Sequence, residues 1–387
     1  MAAMLAARIH GHGGNEVVSL DELPLPERKS GELRLRMIAG GLNRVDLYMR
    51  NSGQGVTHRL PIILGLDGAG VVEEADAGST FRAGDPVVVY PGRSCGRCEF
   101  CRRGEEILCL SARVLGEQID GTFAGFVCAP EDDVFRKPDN LDFFQAASLS
   151  VAWITAWRMV RTKARLREGE TALIFGIGGS VSLAATQIAS AIGARTIVTS
   201  RDAAKLERAR AFGAAETIDA GDNIVERVME LTNGRGVDVV IENAAVWPAA
   251  MRSLVRGGRL VTCGATTGDD PSADLRRLFI RQLQIFGSTL GTRAESKAMI
   301  DFIVDKSLKP HIDEVFALRD IRLAFDRLES GRQFGKVGLA IADPSSAPRS
   351  DKRGLCGDSP SASRSARRPG SRRRAQFSLG GRKEIAS

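Results

Sequence analysis

The sequence predicts an α/β protein in which a β-rich domain precedes a doubly wound parallel sheet. Three observations support this fold class. The chain has 387 residues, more than the roughly 250 at which a single hydrophobic core usually stops growing. The first 130 residues alternate short apolar stretches with Gly and Pro, and from about residue 143 brief apolar runs alternate with helix-like segments.

The β-rich domain is inferred from stretches such as ELRLRMIAGGL, GDPVVVYPG and GTFAGFVCAP. Alternation of period two with frequent turn residues is typical of strands in such a domain. We place this domain at residues 1–150 and expect residues 290–344 to complete it, because GKVGLAIA has the pattern of a last strand that returns to an earlier sheet.

Residues 151–289 form the predicted parallel-sheet domain. ETALIFGIGG, ARTIVTS, VDVVIENAA and GRLVTCGA are short apolar runs, as expected for strands that are buried on both faces. Helices are predicted between them at residues 181–192, 203–212 and 224–231.

The C-terminal segment 345–387 has a different composition. It carries eleven Lys or Arg against three Asp or Glu, a net of +8, so residues 1–344 carry −1 of the overall +7. Because it is rich in Ser, Arg, Gly and Pro without periodic apolar residues, we predict a disordered basic tail. Two interpretations stay open: a non-functional extension, such as a shifted reading frame, or an arm that binds RNA or acidic surfaces. Nucleic-acid binding is not expected of the rest of the chain.

Membrane insertion and a secretory signal are not expected. The longest apolar runs are far below the roughly 20 residues that a spanning helix needs, and the apolar stretch at residues 1–7 is too short for a signal peptide. The seven cysteines are an odd number, and four of them are crowded together. Clustered thiols of this kind more often hold metal in a reducing compartment than form disulfides, so we predict a soluble, cytoplasmic protein.

A glycine turn after the strand TALIF opens a helix, which is the context of a dinucleotide-binding loop. Glycines let the backbone approach a pyrophosphate, and the free N–H groups of a helix N-terminus favour its charge. The pattern is imperfect, because Ser182 or Val181 stands where a third glycine is expected. The predicted loop residues are Gly176, Gly178, Gly179, Ser180 and Val181.

The end of the next strand selects the cofactor. An acidic residue there would bind an adenosine ribose and exclude a 2′-phosphate. This chain instead has Ser200 and Arg201 at the strand end and Lys205 one turn later, which are donors and cations suited to NADP(H). Asp202 counts against this prediction. The alternative is that Arg201 and Lys205 are only solvent-exposed residues at the start of a helix.

Four cysteines with the spacing C-x2-C-x2-C-x7-C predict a metal site within residues 95–109. Four thiolates fill a tetrahedral zinc sphere and leave no open position for substrate, so we predict one structural Zn²⁺. An iron–sulfur cluster is the rival, but no Pro follows the last cysteine. The predicted ligands are Cys95, Cys98, Cys101 and Cys109.

The order of these parts resembles the medium-chain dehydrogenase/reductase superfamily, which includes zinc-type alcohol dehydrogenases and quinone reductases. The resemblance covers residues 4–342 and rests on GLNRVDLYMR, LGLDGAGVV, GDPVVVYPG, the cysteine stretch, GTFAGFVCAP, ITAW, the glycine loop, GGRLVTCGATTG and FGKVGLAI. It implies a GroES-like domain, a Rossmann domain, and a chain that returns to the first domain at its end.

The resemblance also implies that a catalytic zinc has been lost. Where zinc-dependent members have Cys, His-Glu and Cys, this chain has Asn43, Leu66-Asp67 and Val151. Leu and Val cannot coordinate a cation, and an amide is a poor ligand. The segment GLNRVDLYMR is similar to G-x-N-x-x-D-x-Y-x-R of the quinone and enone reductase branch. Its predicted catalytic residues are Asn43 and Tyr48, to which we add Asp67; for Tyr48 a packing role is the alternative.

Further positions follow from the resemblance alone. Family members line the nicotinamide side with residues that correspond here to Asn243, Gly264, Ala265 and Thr266. Lys336 matches a position near the cofactor, although we expect a surface lysine. A homodimer or homotetramer is implied, formed through the sheet edge around residues 282–292.

The predicted function is NADPH-dependent hydride transfer to a quinone or an α,β-unsaturated carbonyl, a small-molecule substrate, without catalytic zinc. Negative charge delocalised over a conjugated system needs less stabilisation than a simple alkoxide, so hydrogen-bond donors can replace a metal. Two alternatives stay open: a zinc-type alcohol dehydrogenase acting on alcohols or aldehydes, and a nucleotide-sensing or RNA-binding protein without turnover.

Overall fold

The computed structural model describes residues 2–265, 268 and 272–342. Thr266 and the predicted tail at 345–387 lie outside the described residues. Each β-strand and α-helix is given below with its bounds.

The strands of the N-terminal part are β1 (Ala3–Ile9), β2 (Val18–Pro24), β3 (Glu32–Leu42), β4 (Ile62–Ile63), β5 (Asp67–Glu74), β6 (Pro86–Val89), β7 (Gly92–Arg93), β8 (Arg113–Val114), β9 (Phe126–Pro130) and β10 (Val134–Arg136). They form a small sheet with the order β2-β1-β4, a larger one with the order β10-β6-β5-β3, in which β9 also pairs with β3, and a separate pair of β7 with β8.

The remaining strands are β11 (Thr171–Ile174), β12 (Arg195–Ser200), β13 (Glu216–Asp219), β14 (Val237–Glu242), β15 (Leu254–Thr262), β16 (Gln284–Gly287), β17 (Ile312–Ala317) and β18 (Lys336–Ala340). The first six make a parallel sheet with the order β13-β12-β11-β14-β15-β16. This is the strand order 3-2-1-4-5-6 of a Rossmann domain, so the predicted doubly wound sheet is confirmed.

The helices connect these strands and cover the sheets. They are α1 (Arg44–Asn51), α2 (Glu99–Arg102), α3 (Phe143–Ala147), α4 (Ile154–Trp157), α5 (Ser180–Ile192), α6 (Ala203–Ala209), α7 (Ile224–Leu231), α8 (Trp247–Ser253), α9 (Leu275–Arg281), α10 (Arg293–Asp305) and α11 (Ile321–Glu329). In the described part of the chain none of them is long and apolar enough to cross a membrane.

Two local features place the functional residues. Helix α1 follows β3 directly, and Asn43 and Asp46 form a capping box at its start, which satisfies free N–H groups of the first turn. Strand β18 pairs antiparallel with β3, with Val337 opposite Leu42 and Gly338 opposite Gly41. The predicted return of the last strand to an earlier sheet is therefore confirmed, and it brings residue 336 beside the start of α1.

Candidate active site

The glycine loop lies between β11 and α5. Gly176 and Gly178 have positive φ of 70° and 109°, and a Cβ on Gly178 would lie 2.7 Å from Cδ of Lys205. The first helical hydrogen bond runs from the Leu183 N–H to the Gly179 carbonyl at 2.9 Å, so the N–H groups of the preceding helical residues are not used within the helix. This geometry fits the pyrophosphate of a dinucleotide.

The polar residues that follow β12 differ in their contacts. The Asp202 carboxylate caps α6, accepting from the N–H groups of Ala204 at 3.0 Å and Lys205 at 3.3 Å. Arg201 is exposed, and among the described residues it has no hydrogen-bond or ion-pair partner. The acidic group that counted against NADP is thus engaged with its own helix, while the guanidinium is free for a ligand.

A cavity of about 900 Å³ adjoins the glycine loop. Asn43, Leu66 and Val151 form one part of its lining, together with Thr155. The cofactor-loop and strand-end residues that also line it are Gly176, Gly178, Gly179, Ser180, Val181, Ser200, Arg201, Lys205 and Asn243. Residues predicted separately for substrate and for cofactor therefore border one space.

Asn43, Leu66 and Val151, the positions that the resemblance assigns to a catalytic zinc in zinc-dependent members, line the same cavity. Asn43 is 9 % exposed and Leu66 2 % exposed. Because Leu66 and Val151 present hydrocarbon to the cavity, this wall has no donor set for a metal ion. Among the described residues, the one group of three or more His, Cys, Asp or Glu side chains close enough to share a metal is the cysteine cluster.

The structure corrects the expectation for Lys336. We expected a surface lysine, but this residue is only 2 % exposed. Its Nζ lies 2.6 Å from Oδ1 of Asn43 and 2.6 Å from Oδ2 of Asp67. Asp67 is fully buried and is not among the residues that line the cavity. Burial raises the pKa of Asp67, and the Lys336 ammonium opposes that rise.

Tyr48 is 41 % exposed and is not among the residues that line the cavity. Its catalytic role stays a prediction that this geometry does not support. Gly264 and Ala265 are also exposed and outside the cavity lining, although Gly264 packs 3.8 Å from Asn243 as measured from an added Cβ. The Asn243 amide lies 3.5 Å from Oγ of Ser182.

Sequence reasoning missed other residues that line the cavity. Glu117 is one, and burial raises the pKa of its carboxyl, so it holds a proton to higher pH than an ordinary glutamate. Cys263 packs against the hydrophobic core and lines the cavity as well, and burial raises its pKa to about 12. Arg44 and Arg332 add two exposed guanidinium groups. Because these side chains come from separate parts of the chain, no sequence spacing marks them.

The four predicted zinc ligands form one cluster. Their sulfur atoms all lie within 4.8 Å of one another, with Cys95 and Cys101 at 3.9 Å and Cys98 and Cys101 at 3.5 Å. Tetrahedral zinc with Zn–S bonds of about 2.3 Å separates its sulfurs by roughly 3.8 Å. These four thiols therefore fit a closed, structural zinc site.

Backbone N–H groups point at these sulfurs. The N–H of Cys95 donates to Sγ of Cys109 at 3.2 Å, and that of Cys98 donates to Sγ of Cys95 at 3.4 Å. Backbone N–H groups of Cys101 and Leu110 lower the pKa of Cys98 to about 6. Such donors favour the thiolate, which is the form that binds metal.

The loop before β18 is tied to the glycine loop. The Gly335 N–H donates to the Gly178 carbonyl at 2.9 Å, and the Ser180 hydroxyl donates to the Gly335 carbonyl at 2.9 Å. Because Lys336 follows directly, one short segment contacts both the cofactor loop and Asn43.

A Rossmann sheet joined to a second domain with a closed cysteine site defines a nicotinamide-dependent oxidoreductase. Family models agree: the zinc-binding dehydrogenase model matches residues 180–305, and the alcohol dehydrogenase GroES-like domain model matches residues 29–139. The chain belongs to the medium-chain dehydrogenase/reductase superfamily, as the motifs had indicated.

Individual relatives have the same organisation. An alcohol dehydrogenase of Geobacillus stearothermophilus is 30 % identical over 84 % of this chain and 96 % of its own. A solved NAD-dependent alcohol dehydrogenase is 37 % identical, covers 87 % of this chain and all of its own, and superposes with a TM-score of 0.84. A crotonyl-CoA carboxylase/reductase is 25 % identical with a TM-score of 0.82, over 88 % of this chain and 89 % of its own.

Proposed function

We propose that this oxidoreductase reduces a quinone or an α,β-unsaturated carbonyl with NADPH and without a catalytic zinc. The observation that carries the proposal is the cavity wall formed by Asn43, Leu66 and Val151. At the positions where zinc-dependent relatives have metal ligands, this wall offers one amide and two hydrocarbon side chains. Its chemistry is therefore hydrogen-bond donation next to apolar surface.

Such a wall suits a conjugated acceptor. The nicotinamide, when bound, supplies a hydride to the electrophilic carbon. The electron pair of the C=C bond then moves toward the carbonyl oxygen, which becomes an enolate or phenolate oxygen and later takes up a proton. The Asn43 amide can donate to that oxygen, because an amide N–H aimed at developing negative charge stabilises it. The apolar side chains of Leu66 and Val151 pack against the conjugated carbons.

The choice of NADPH over NADH rests on Arg201. Its guanidinium is free among the described residues and lines the cavity, whereas Asp202 caps α6. Arg201→Ala should weaken NADPH binding by about 10- to 100-fold, the equivalent of one charge-assisted hydrogen bond to phosphate, and leave NADH binding unchanged. Cofactor fluorescence titration measures both. Arg210→Ala, which changes an exposed arginine outside the cavity, is the control; equal losses for both cofactors would exclude this role.

A second candidate is alcohol dehydrogenation with NAD⁺. It is favoured by the names of relatives, since curated proteins 30 % identical to this chain are alcohol dehydrogenases. The crotonyl-CoA carboxylase/reductase favours the first candidate, because crotonyl-CoA is itself an α,β-unsaturated carbonyl compound. The residues at the former zinc positions decide our preference for reduction of a conjugated acceptor.

Metal content and steady-state kinetics separate the two candidates. The purified protein should contain one zinc per chain, and NADPH oxidation should be seen with benzoquinone, cyclohexenone or crotonyl-CoA. Turnover only with simple alcohols and NAD⁺, together with a second metal per chain, would overturn the proposal in favour of the alternative.

We further propose a homodimer or homotetramer formed through β16, at the edge of the parallel sheet. Neighbouring α9 exposes Leu275, Phe279 and Ile280, which are 69 %, 69 % and 52 % exposed. A large exposed apolar cluster beside the edge strand of a sheet is typical of an interface. Light scattering tests this, and a monomer at micromolar concentration would contradict it.

A cytoplasmic location is proposed from the four free thiols of the metal site, which need a reducing compartment to stay available to zinc. Cell fractionation tests it; recovery of the protein in a secreted fraction with oxidised cysteines would contradict it.

A further inference from the structure

Lys336 is a buried cation with a full set of acceptors. An ammonium group has three donors and no acceptor, and its neighbours here are Oδ1 of Asn43 at 2.6 Å, Oδ2 of Asp67 at 2.6 Å and the Leu42 carbonyl at 3.4 Å. Removing an ammonium from water is unfavourable unless it is paired and hydrogen-bonded. Lys336 is thus held in one place by a carboxylate, an amide and the backbone.

The pairing of three strands creates this position for the ammonium group. Strands β5, β3 and β18 lie side by side, so Asp67 and Lys336 flank β3 from opposite sides. Their side chains meet over Gly41, where an added Cβ would lie 2.9 Å from Oδ2 of Asp67 and 2.9 Å from Cδ of Lys336. The ion pair therefore requires the glycine, and three distant parts of the chain converge on one contact.

The contact fixes which way the Asn43 amide faces. Because the ammonium only donates, the amide oxygen must face Lys336, and the amide nitrogen is then directed elsewhere. That nitrogen has a contact of 3.4 Å to the Gly41 carbonyl, and a hydrogen bond from the Asn43 side chain lowers the pKa of the Asp67 carboxyl. Asn43 also lines the large cavity, so a ligand oxygen there competes with these two acceptors for its N–H groups.

We propose that Lys336 is a positioning residue that holds the Asn43 amide so that its N–H groups bind an oxyanion in the cavity. The ligand class is an enolate or phenolate oxygen, as formed when a conjugated carbonyl or quinone is reduced; this assignment rests on the proposed function. Asp67 anchors the ammonium, the ammonium anchors the amide oxygen, and the amide nitrogen meets the ligand. The lysine itself does not touch substrate.

Binding of 4-nitrophenol to the NADP⁺-loaded protein tests this without turnover, because the bound phenolate has its own visible absorbance. Asn43→Ala and Lys336→Met should each weaken phenolate binding by about 10-fold, the equivalent of one hydrogen bond. In the Asn43→Ala background, Lys336→Met should have no further effect, since both changes remove the same donor. Lys336→Arg should retain binding.

Further variants control for unfolding and for nonspecific effects of losing a lysine. Lys336→Met leaves Asp67 buried without its partner, so Lys336→Met combined with Asp67→Asn removes both charges and serves if the single variant unfolds. Lys297→Met, at an exposed lysine paired with Asp301, is the control and should bind like the wild type. Effects of Asn43→Ala and Lys336→Met that multiply in the double variant would overturn the proposal.

The outcome is separable from that of the proposed function. Enone or quinone reduction together with independent effects of the two residues would reject only the role of Lys336. Coupled effects on phenolate binding, with no reduction of any conjugated acceptor, would leave the oxyanion site standing and reject the substrate class.

Discussion

The segment with the four cysteines, residues 95–109 (the cysteine lobe), and the cluster of Asn43, Asp67 and Lys336 can each bind a positive charge, but they do so differently. In the lobe, four thiols within 4.8 Å of one another fit a metal ion taken from solution. In the cluster, the cation is a side chain of the protein, held at 2.6 Å by an amide and by a carboxylate. The lobe depends on its metal supply, whereas the cluster is complete once the chain has folded.

The difference shows what each site is able to do. A closed four-sulfur site stabilises a loop and leaves no position for substrate. In the role we propose for it, the ammonium orients the Asn43 amide toward a cavity and so contributes to ligand binding. If that proposal holds, a structural metal site in a member of this superfamily does not by itself indicate metal-dependent hydride transfer.

Removal of one zinc ligand should have the largest effect. Cys109→Ser changes the one buried thiol of the cluster and should reduce the zinc content from one per chain to none, with a loss of about 4 kcal/mol in the free energy of unfolding. Mass spectrometry of bound metal and urea unfolding measure these. Cys128→Ser, a cysteine outside the lobe, should retain its zinc. A zinc content of one per chain in Cys109→Ser would break the comparison.

Loss of the carboxylate in the second cluster should rank next. Asp67→Asn removes the counter-charge of a buried ammonium and should cost about 3 kcal/mol of stability while the zinc content stays at one per chain. Asp301→Asn is a matched control, because its lysine–aspartate contact of 2.7 Å is exposed and is worth no more than about 0.5 kcal/mol. Equal losses in the two variants would show that burial of the pair does not matter.

The smallest expected effect is a change in the stability of the fold with pH, caused by Asp46. Asp46 is fully buried, its Oδ2 accepts from the Asn43 N–H at 2.7 Å, and its Oδ1 has no partner among the described residues. Burial raises its pKa to about 7, and of the charged groups that face it, Asp67 and Glu117 add to the rise while Lys336 opposes it.

The sign follows from proton binding. Below the ordinary value of 3.8 both the folded and the unfolded chain hold this proton; from there to about pH 7 only the folded chain does, so the contribution to stability is lost as pH rises. Between pH 6 and 8 the stability of the wild type relative to Asp46→Asn should fall by about 1 kcal/mol. Urea unfolding at several pH values measures it; a constant difference would contradict it.

Much of the fold could be predicted because its signals are local. The predicted helix at residues 224–231 is confirmed as Ile224–Leu231, and that at 181–192 as Ser180–Ile192. The predicted helix at residues 203–212 is α-helical only to Ala209 and ends in a tighter turn before Gly213. The cysteine spacing was sufficient to predict the cluster, because its ligands lie within one short segment.

The second cluster could not be predicted in the same way, since it depends on pairing between distant strands. Lys336 lies 269 residues from Asp67 along the chain. No local sequence pattern indicates that β18 and β5 flank the same strand. One signal was available: a lysine opens the otherwise apolar strand GKVGLA, and a charged residue there needs a partner once the strand is buried. Tyr48 is exposed because α1 buries its neighbours Leu47 and Met49 in the hydrophobic core instead.

The hydrogen bonds of Gly335 to the glycine loop have a thermodynamic consequence. Gly335 contacts Gly178 and Ser180, and the next residue holds the Asn43 amide. We expect occupancy of the two sites to be linked: by whatever factor NADP⁺ raises the affinity for 4-nitrophenol, 4-nitrophenol must raise the affinity for NADP⁺ by the same factor. Titration of each ligand with and without the other closes that cycle, and a factor of one would show that the peptide segment transmits nothing.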